Sequence, residues 1–139
     1  MARVVLASCE AFDNVPPGLT GKVLVLNFFA SWCGLCRAEL PHLKAVSAKY
    51  QADPRVAFLL VSIDEDSKRL QNYMDDMKFP FPVARMKPED AERIMGFDNV
   101  PQTFYVDRGG VVRYHAAGVE SHGDSPARVS WYIDRLNGQ

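Results

Sequence analysis

Length, composition and charge indicate an ordinary globular protein. The chain has 139 residues, of which 47% are hydrophobic and 24% are charged, and this is enough apolar material for one buried core. Its net charge of -1 gives no reason to expect a nucleic-acid partner, and no apolar run approaches the roughly 20 residues that span a bilayer. We therefore expect one domain over residues 1–139, with no nucleic acid bound and no membrane contact within the chain.

The N-terminal segment contains a cysteine that stands apart from the other two. Residues 1–9 combine a charge with a few apolar side chains, but the apolar part is shorter than the roughly 7–15 residues of a signal peptide. We interpret the segment as a short strand or arm. The chain fits equally well a fragment of a longer exported or tethered protein, with Met1 added for expression. We expect Cys9 to be a free thiol packed as a small hydrophobic group, with intermolecular pairing as the alternative.

A buried strand runs directly into the other two cysteines. Residues 22–29 are apolar without alternation, which predicts a strand covered on both faces. After Gly34 the apolar residues recur at helical spacing, with Leu40, Leu43 and Val46 on one face. Cys33 therefore lies at or just before a helix N-terminus, and Cys36 lies one turn inside the helix.

This position favours thiol chemistry. Unpaired backbone N–H groups and the positive end of the helix dipole stabilise a thiolate, and such surroundings lower a cysteine pKa from about 8.5 to roughly 3.5–7.5. Cys33 is thus the candidate nucleophile. Cα atoms three residues apart on a helix are about 5–6 Å from each other, which a disulfide accepts, so Cys36 can resolve a mixed disulfide formed on Cys33.

Three alternative roles for the cysteine pair are weaker. A structural disulfide over so short a step constrains the unfolded chain little. A zinc or copper site needs further ligands, and His42, His115 and His122 lack the spacing of a zinc module. Two inert buried cysteines would make their placement between strand and helix a coincidence. We read His115 and His122 as surface or hairpin residues without a role.

The remaining pattern predicts an alternating α/β order. Residues 55–63 form a second buried strand, parallel to the first because a helix connects them. A helix that starts after residues 64–67 and a short extended piece at 79–83 follow, and the inward helix positions are Leu70, Tyr73, Met74 and Met77.

The C-terminal half predicts a short helix, a hairpin and a closing helix. The short helix opens at Pro88, turns Ile94 and Met95 inward and ends at Gly96. Strands at 103–106 and 111–115 are joined by a turn at 107–110. The last helix buries the stripe Val129, Tyr132, Ile133 and Leu136, with Trp131 off that stripe.

The stretch Asn27–Pro41, centred on Trp32-Cys33-Gly34-Leu35-Cys36, resembles the thioredoxin superfamily, and within it the thiol-disulfide reductases of the TlpA and ResA kind. The resemblance covers most of the chain. It implies an α/β thioredoxin fold in a single domain, with a central mixed sheet of four to five strands and helices on both faces. It also implies that Cys33 attacks and Cys36 resolves, with Trp32 shaping the contact surface.

Two positions depart from thioredoxin and one agrees with ResA-like proteins. Asn27 stands where thioredoxin has a buried aspartate, and an amide cannot take a proton from a thiol. Leu35 stands where proline is common, which leaves the redox potential open. The resemblance places at Glu39 the glutamate that assists proton transfer. The alternative for Glu39 is a solvated carboxylate on the helix surface.

The resemblance also assigns the proline before the hairpin. Val100-Pro101 corresponds to the cis-proline of the thioredoxin fold, whose loop lies against the cysteines, and an ordinary trans loop proline is the alternative. Composition alone would give only about 5–6% cis for such a bond. A cis turn here would let the Val100 backbone pair with an extended substrate, so Trp32, Val100 and Pro101 are the predicted substrate-binding residues.

We therefore predict a monomeric thiol-disulfide oxidoreductase that works as a protein-disulfide reductase. Its partners are a disulfide-bearing substrate protein and an upstream dithiol donor protein, and we expect no cofactor because no nucleotide or flavin fingerprint is present. A peroxiredoxin-type peroxide reductase and a copper- or zinc-handling module are the alternatives. The resemblance implies a periplasmic or otherwise extracytoplasmic location, while the residues themselves leave the cytoplasm open.

Overall fold

The computed structural model describes residues 18–19, 21–79, 83–117 and 125–138. The N-terminal segment with Cys9, the prolines of the extended piece and His122 lie outside the described residues. Within these ranges nine elements follow one another: β1 (Val23–Phe29), α1 (Gly34–Lys49), β2 (Val56–Ser62), α2 (Ser67–Met77), β3 (Val83–Arg85), α3 (Pro88–Met95), β4 (Gln102–Val106), β5 (Val112–Ala117) and α4 (Ser125–Asn137).

The strands form one mixed sheet in the order β3-β2-β1-β4-β5. β1 is parallel to β2 and β2 to β3, whereas β4 is antiparallel to both β1 and β5. Every residue of β1 is buried, as the unbroken apolar run predicted for a central strand. The predicted thioredoxin fold, with its mixed sheet of four to five strands, is therefore confirmed.

Side chains of β1 alternate between the two covered faces of the sheet. Phe28 contacts Phe97 and Phe104 on one face, with ring centroids 4.8 Å and 5.7 Å away. Phe29 points to the other face and contacts Tyr73 of α2. Apolar side chains on both faces of one strand thus fix the strand at the centre of the layers, and its end opens toward the helix that carries the cysteines.

Most predicted helix faces are confirmed. The stripe of α1 is buried, and in α2 Leu70 and Tyr73 are buried while the two methionines are half-buried. In α4 Ile133 and Leu136 are buried, and Trp131 lies exposed beside the stripe. No helix in the described ranges is long and apolar enough to cross a membrane.

The prediction for α3 was wrong at one position. Ile94 is 38% exposed, and Ala91 is buried in its place. The inner face of this eight-residue helix runs through Ala91 and the half-buried Met95, four residues apart, and Ile94 falls beside that row. Gly96 ends the helix in the left-handed conformation with φ 80°, as predicted.

A tyrosine hydroxyl joins the end of α1 to α4. Tyr50 donates a hydrogen bond of 2.7 Å to Asp134 Oδ1. Burial, together with this hydrogen bond to a carboxylate, raises the pKa of Tyr50 to about 12. The fold therefore favours the un-ionised phenol of Tyr50. The hydrogen bond links the C-terminal end of α1 to α4.

Replacing Tyr50 by phenylalanine tests this link. Below pH 10 we expect Tyr50→Phe to lower the free energy of unfolding by about 0.5–1.5 kcal/mol, since one hydrogen bond is lost. Because the folded pKa exceeds the unfolded value of about 10, wild type loses this advantage as the pH rises from about 10 to about 12. Urea unfolding at several pH values measures the gap between the two proteins, and a gap independent of pH would contradict the assignment.

Candidate active site

Cys33 caps the N-terminus of α1 with its own sulfur. The residue is extended, with φ -87° and ψ 114°, and its carbonyl oxygen accepts the N–H of Arg37 at 3.1 Å as the first helical bond. Its Sγ accepts the N–H of Cys36 at 3.2 Å, which is what an N-cap oxygen ordinarily does. The N–H of Cys33 donates to Ala30 at 3.1 Å and closes a tight turn after β1. A negative charge on this sulfur would meet donors and the positive end of the helix dipole.

The two cysteines are bonded, but they differ in accessibility. Cys33 and Cys36 form a disulfide with Cα atoms 5.3 Å apart, within the predicted distance. Cys33 retains 7% of its surface, and Cys36 is completely buried. Of the two cysteines, only Cys33 therefore keeps any surface exposed to solvent.

The loop before β4 lies against the accessible sulfur. The Val100–Pro101 peptide bond is cis, as the resemblance predicted. Cys33 Sγ lies 3.6 Å from the carbonyl oxygen of Val100, although 67 residues separate them in sequence. Trp32 and Leu35 are both more than half exposed and belong to the same short stretch as the cysteine. The accessible sulfur thus has exposed apolar side chains beside it in the chain and a backbone carbonyl opposite.

Glu39 connects to the sheet through Thr103 and Asn27. It follows Cys36 by three residues in α1, so the two side chains are neighbours on the helix. The buried Asn27 donates through Nδ2 to Thr103 Oγ1 at 2.8 Å, and Thr103 donates to Glu39 Oε1 at 3.5 Å. Glu39 is half-buried, and this argues against the alternative interpretation of its side chain as a solvated carboxylate on the helix surface. Thr103 was not singled out in the sequence, because its partner on β1 is 76 residues away.

A buried carboxylate beside the cysteine loop was also missed. Residues 64–67 were interpreted together as a loop leading into a helix. In the structure Asp66 caps α2, accepting the N–H groups of Lys68 and Arg69, whereas Asp64 is 3% exposed and bonds to Ser31 of the cysteine loop. The only sequence signal for Asp64 was its position directly after a buried strand.

The histidines within the described residues are not part of this site. His42 is exposed on α1. His115 stacks on Phe104, with ring centroids 4.2 Å apart, and contacts Gln102. Across the described ranges, no three His, Cys, Asp or Glu side chains form a group that could hold a metal ion.

Comparison with known proteins places this chain in a family. Residues 15–115 match the AhpC/TSA family, and the chain belongs to it. The thiol-disulfide oxidoreductase ResA of Oceanobacillus iheyensis is 29% identical over 94 residues, covering 68% of this chain and 48% of that protein. The thiol:disulfide interchange protein DsbE of Escherichia coli K12 is 28% identical over 102 residues, covering 70% and 51%. These similarities confirm the TlpA/ResA-like resemblance.

A solved structure with a related name has a similar fold. The crystal structure of a putative thiol:disulfide interchange protein DsbE from Chlorobium tepidum superposes with a TM-score of 0.75 and 27% identity, covering 84% of this chain and 81% of that one. The match to ResA from Oceanobacillus iheyensis spans about half of that protein, and so does the match to DsbE from Escherichia coli.

A double-mutant cycle tests the contact between Asn27 and Thr103. Thr103→Val is expected to lower the free energy of unfolding by about 1–3 kcal/mol, because a buried amide donor loses its acceptor. Asn27→Leu removes that donor, so the double variant should lose clearly less than the sum of the two single losses. Urea unfolding measures all four proteins. Additive losses would mean that the two side chains do not interact.

Proposed function

We propose that the protein is a thiol-disulfide oxidoreductase that reduces disulfides in partner proteins. The observation that carries this proposal is the cysteine pair at a helix N-terminus: Cys33 keeps a small exposed surface, is bonded to the fully buried Cys36 and faces the cis-proline loop. The relatives named thiol-disulfide oxidoreductase and thiol:disulfide interchange protein support it.

In this cycle Cys33 attacks and Cys36 resolves. The Cys33 thiolate attacks one sulfur of a substrate disulfide, forms a mixed disulfide and releases the other sulfur as a thiolate, which takes up a proton. The Cys36 thiolate then attacks Cys33 Sγ, releases the second substrate thiolate and restores the Cys33–Cys36 disulfide. Two electrons pass to the substrate, and an upstream dithiol protein must supply two more to reduce the Cys33–Cys36 disulfide for the next cycle.

Glu39 serves as the proton acceptor for Cys36. Cys36 is buried, so its thiol must lose a proton to a nearby group before it can attack. Asn27 cannot accept a proton at neutral pH, whereas Glu39 lies one helical turn from Cys36 and is half-buried. The hydroxyl of Thr103 orients one carboxylate oxygen of Glu39 by donating to it.

Trp32, Val100 and Pro101 bind the substrate. The backbone of Val100 pairs with an extended segment that carries the substrate cysteine, which brings that cysteine to within reach of Cys33 Sγ. The exposed indole of Trp32 supplies apolar contact beside it. Recognition through backbone and apolar surface suits substrate proteins that share a cysteine rather than a long sequence motif.

No described contact favours the peroxide-reducing or metal-handling alternatives. The exchange reaction also fits an extracytoplasmic compartment, where protein disulfides persist, and we infer that location together with the function.

Trapping with single cysteine variants tests the assignment of roles. In a Cys9→Ser background, Cys36→Ser should accumulate mixed disulfides with partner proteins, because Cys33 attacks and nothing resolves. Cys33→Ser should trap none, since Cys36 is buried. Non-reducing gels followed by mass spectrometry identify the products. Equal trapping by both variants would overturn the assignment of Cys33 as nucleophile.

Substitution of Glu39 should separate the two steps of the cycle. Glu39→Gln is expected to slow release of the mixed disulfide about 100-fold near neutral pH, since general-base assistance is lost, and to leave the attack by Cys33 unchanged. Raising the pH should restore release, because hydroxide then deprotonates Cys36. Stopped-flow kinetics resolve both steps. Glu92→Gln, on the exposed side of α3, is the matched control and should change neither rate.

A further inference from the structure

Asp64 lies where the backbone pairing between the two central strands stops. The parallel register ends with Phe29 opposite Ser62, and Ile63 makes one last backbone bond to Phe29 at 2.9 Å. Beyond that point β1 becomes the loop that carries the cysteines, and β2 has no further strand residues to offer. The donors of this loop must find other acceptors because the region is buried.

The Asp64 carboxylate supplies the hydrogen-bond acceptors that a neighbouring strand would otherwise offer. Its Oδ2 accepts the backbone N–H of Ser31 at 2.9 Å, and its Oδ1 lies 3.1 Å from the same nitrogen. The Ser31 hydroxyl donates to Oδ1, and the Ser62 hydroxyl donates to Oδ2 at 2.6 Å. All three residues are buried. A carboxylate in this position accepts from several directions at once, which no apolar side chain can do.

The backbone of Asp64 is itself held in place by two hydrogen bonds. The N–H of Asp64 donates to Ser62 Oγ at 2.9 Å, and Arg85 Nη2 donates to the Asp64 carbonyl oxygen at 3.0 Å. Arg85 belongs to β3, so the anchor extends across three parallel strands. Because both the N–H and the carbonyl of Asp64 are bonded to strand residues, its carboxylate fixes the position of Ser31 relative to the whole sheet.

Ser31 lies in the turn that leads directly to Cys33. It sits inside the tight turn that the Cys33 N–H closes on Ala30, and it directly precedes Trp32. Movement of Ser31 would shift Cys33 relative to Val100, which belongs to a separate loop. Such a shift matters for a reaction that needs a bound disulfide in line with the sulfur.

We propose that Asp64 is a positioning residue, whose buried carboxylate holds the Ser31 backbone so that Cys33 faces the Val100–Pro101 loop in the geometry that a docked disulfide requires. This proposal rests on the proposed function for its consequence in catalysis. Its structural content, the hold on Ser31, can be measured without any substrate.

Asp64→Asn and Asp107→Asn form a matched pair. Asp107 also accepts several bonds, from the N–H groups of Gly109 and Val111 and from Arg113, but it follows β4 at the end of the sheet where β1 begins, away from the cysteines. Both substitutions should lower the free energy of unfolding in urea. Only Asp64→Asn should alter the site. Ser31→Ala keeps the backbone donor and removes one hydrogen bond, so it provides a milder variant if Asp64→Asn fails to fold.

Two rates on the reduced protein distinguish position from reactivity. With a peptide disulfide long enough to pair with Val100, Asp64→Asn should reduce the single-turnover rate about tenfold, and Ser31→Ala should reduce it less. The second rate is the alkylation of Cys33 by iodoacetamide, followed by mass spectrometry at a pH where Cys33 is a thiolate. In Asp64→Asn this rate should stay within about twofold of the wild-type rate, because a small reagent needs no docking. A loss no larger than that of Asp107→Asn, or an equal loss in both rates, would overturn the proposal.

Amide hydrogen exchange tests the hold on Ser31 directly. Asp64→Asn should speed exchange at Ser31 about tenfold or more while the amides of β1 stay protected. Unchanged exchange at Ser31 would overturn the proposal even if activity fell. If the wild type reduces no disulfide, the proposed function fails, and exchange at Ser31 still decides whether Asp64 holds the loop.

Discussion

The structure depends on the way its central strand ends. β1 is buried on both faces, and its backbone must pass from a fully paired sheet into a helix N-terminus within a few residues. The tight turn from Ala30 to Cys33 meets this demand, and the sulfur of Cys33 takes the capping position that an oxygen usually occupies. We expect this position to stabilise a thiolate on reduced Cys33, because helix N-termini lack internal partners for their N–H groups.

Features that depend on neighbouring residues could be predicted from the sequence. The apolar run of β1, the helical spacing after Gly34 and the distance between the cysteines all follow from local periodicity. The cis bond before Pro101 was different, since composition argued against it and only the resemblance supported it. The apolar side chain of Ile94 favours an inward position in sequence, but the phase of so short a helix turns it outward beside Ala91 and Met95.

Features that depend on distant partners could not be predicted in this way. Thr103 meets Asn27 across 76 residues, and Asp64 meets Ser31 across 33. Each is polar and short, and in sequence each looks like many surface residues. Only the pairing of β1 with β2 and β4 brings them beside the cysteine helix, so their significance appears once the register is known. The polar side chains that brace the cysteine loop and Glu39 are therefore brought there by topology, whereas the cysteines and Glu39 itself follow from local sequence.

The antiparallel pairing of β1 with β4 has one further consequence. Phe28 lies opposite Gln102, so the loop with Cys33 leaves β1 at the same rung from which the Val100–Pro101 loop enters β4. Because both loops start from paired strand ends, we expect any bending of the sheet to carry the two loops together. The distance between Cys33 Sγ and the Val100 carbonyl oxygen should then change little when the sheet bends. A shift of the β1–β4 register by one residue would separate these two atoms and turn the buried side chains of the core to the other face.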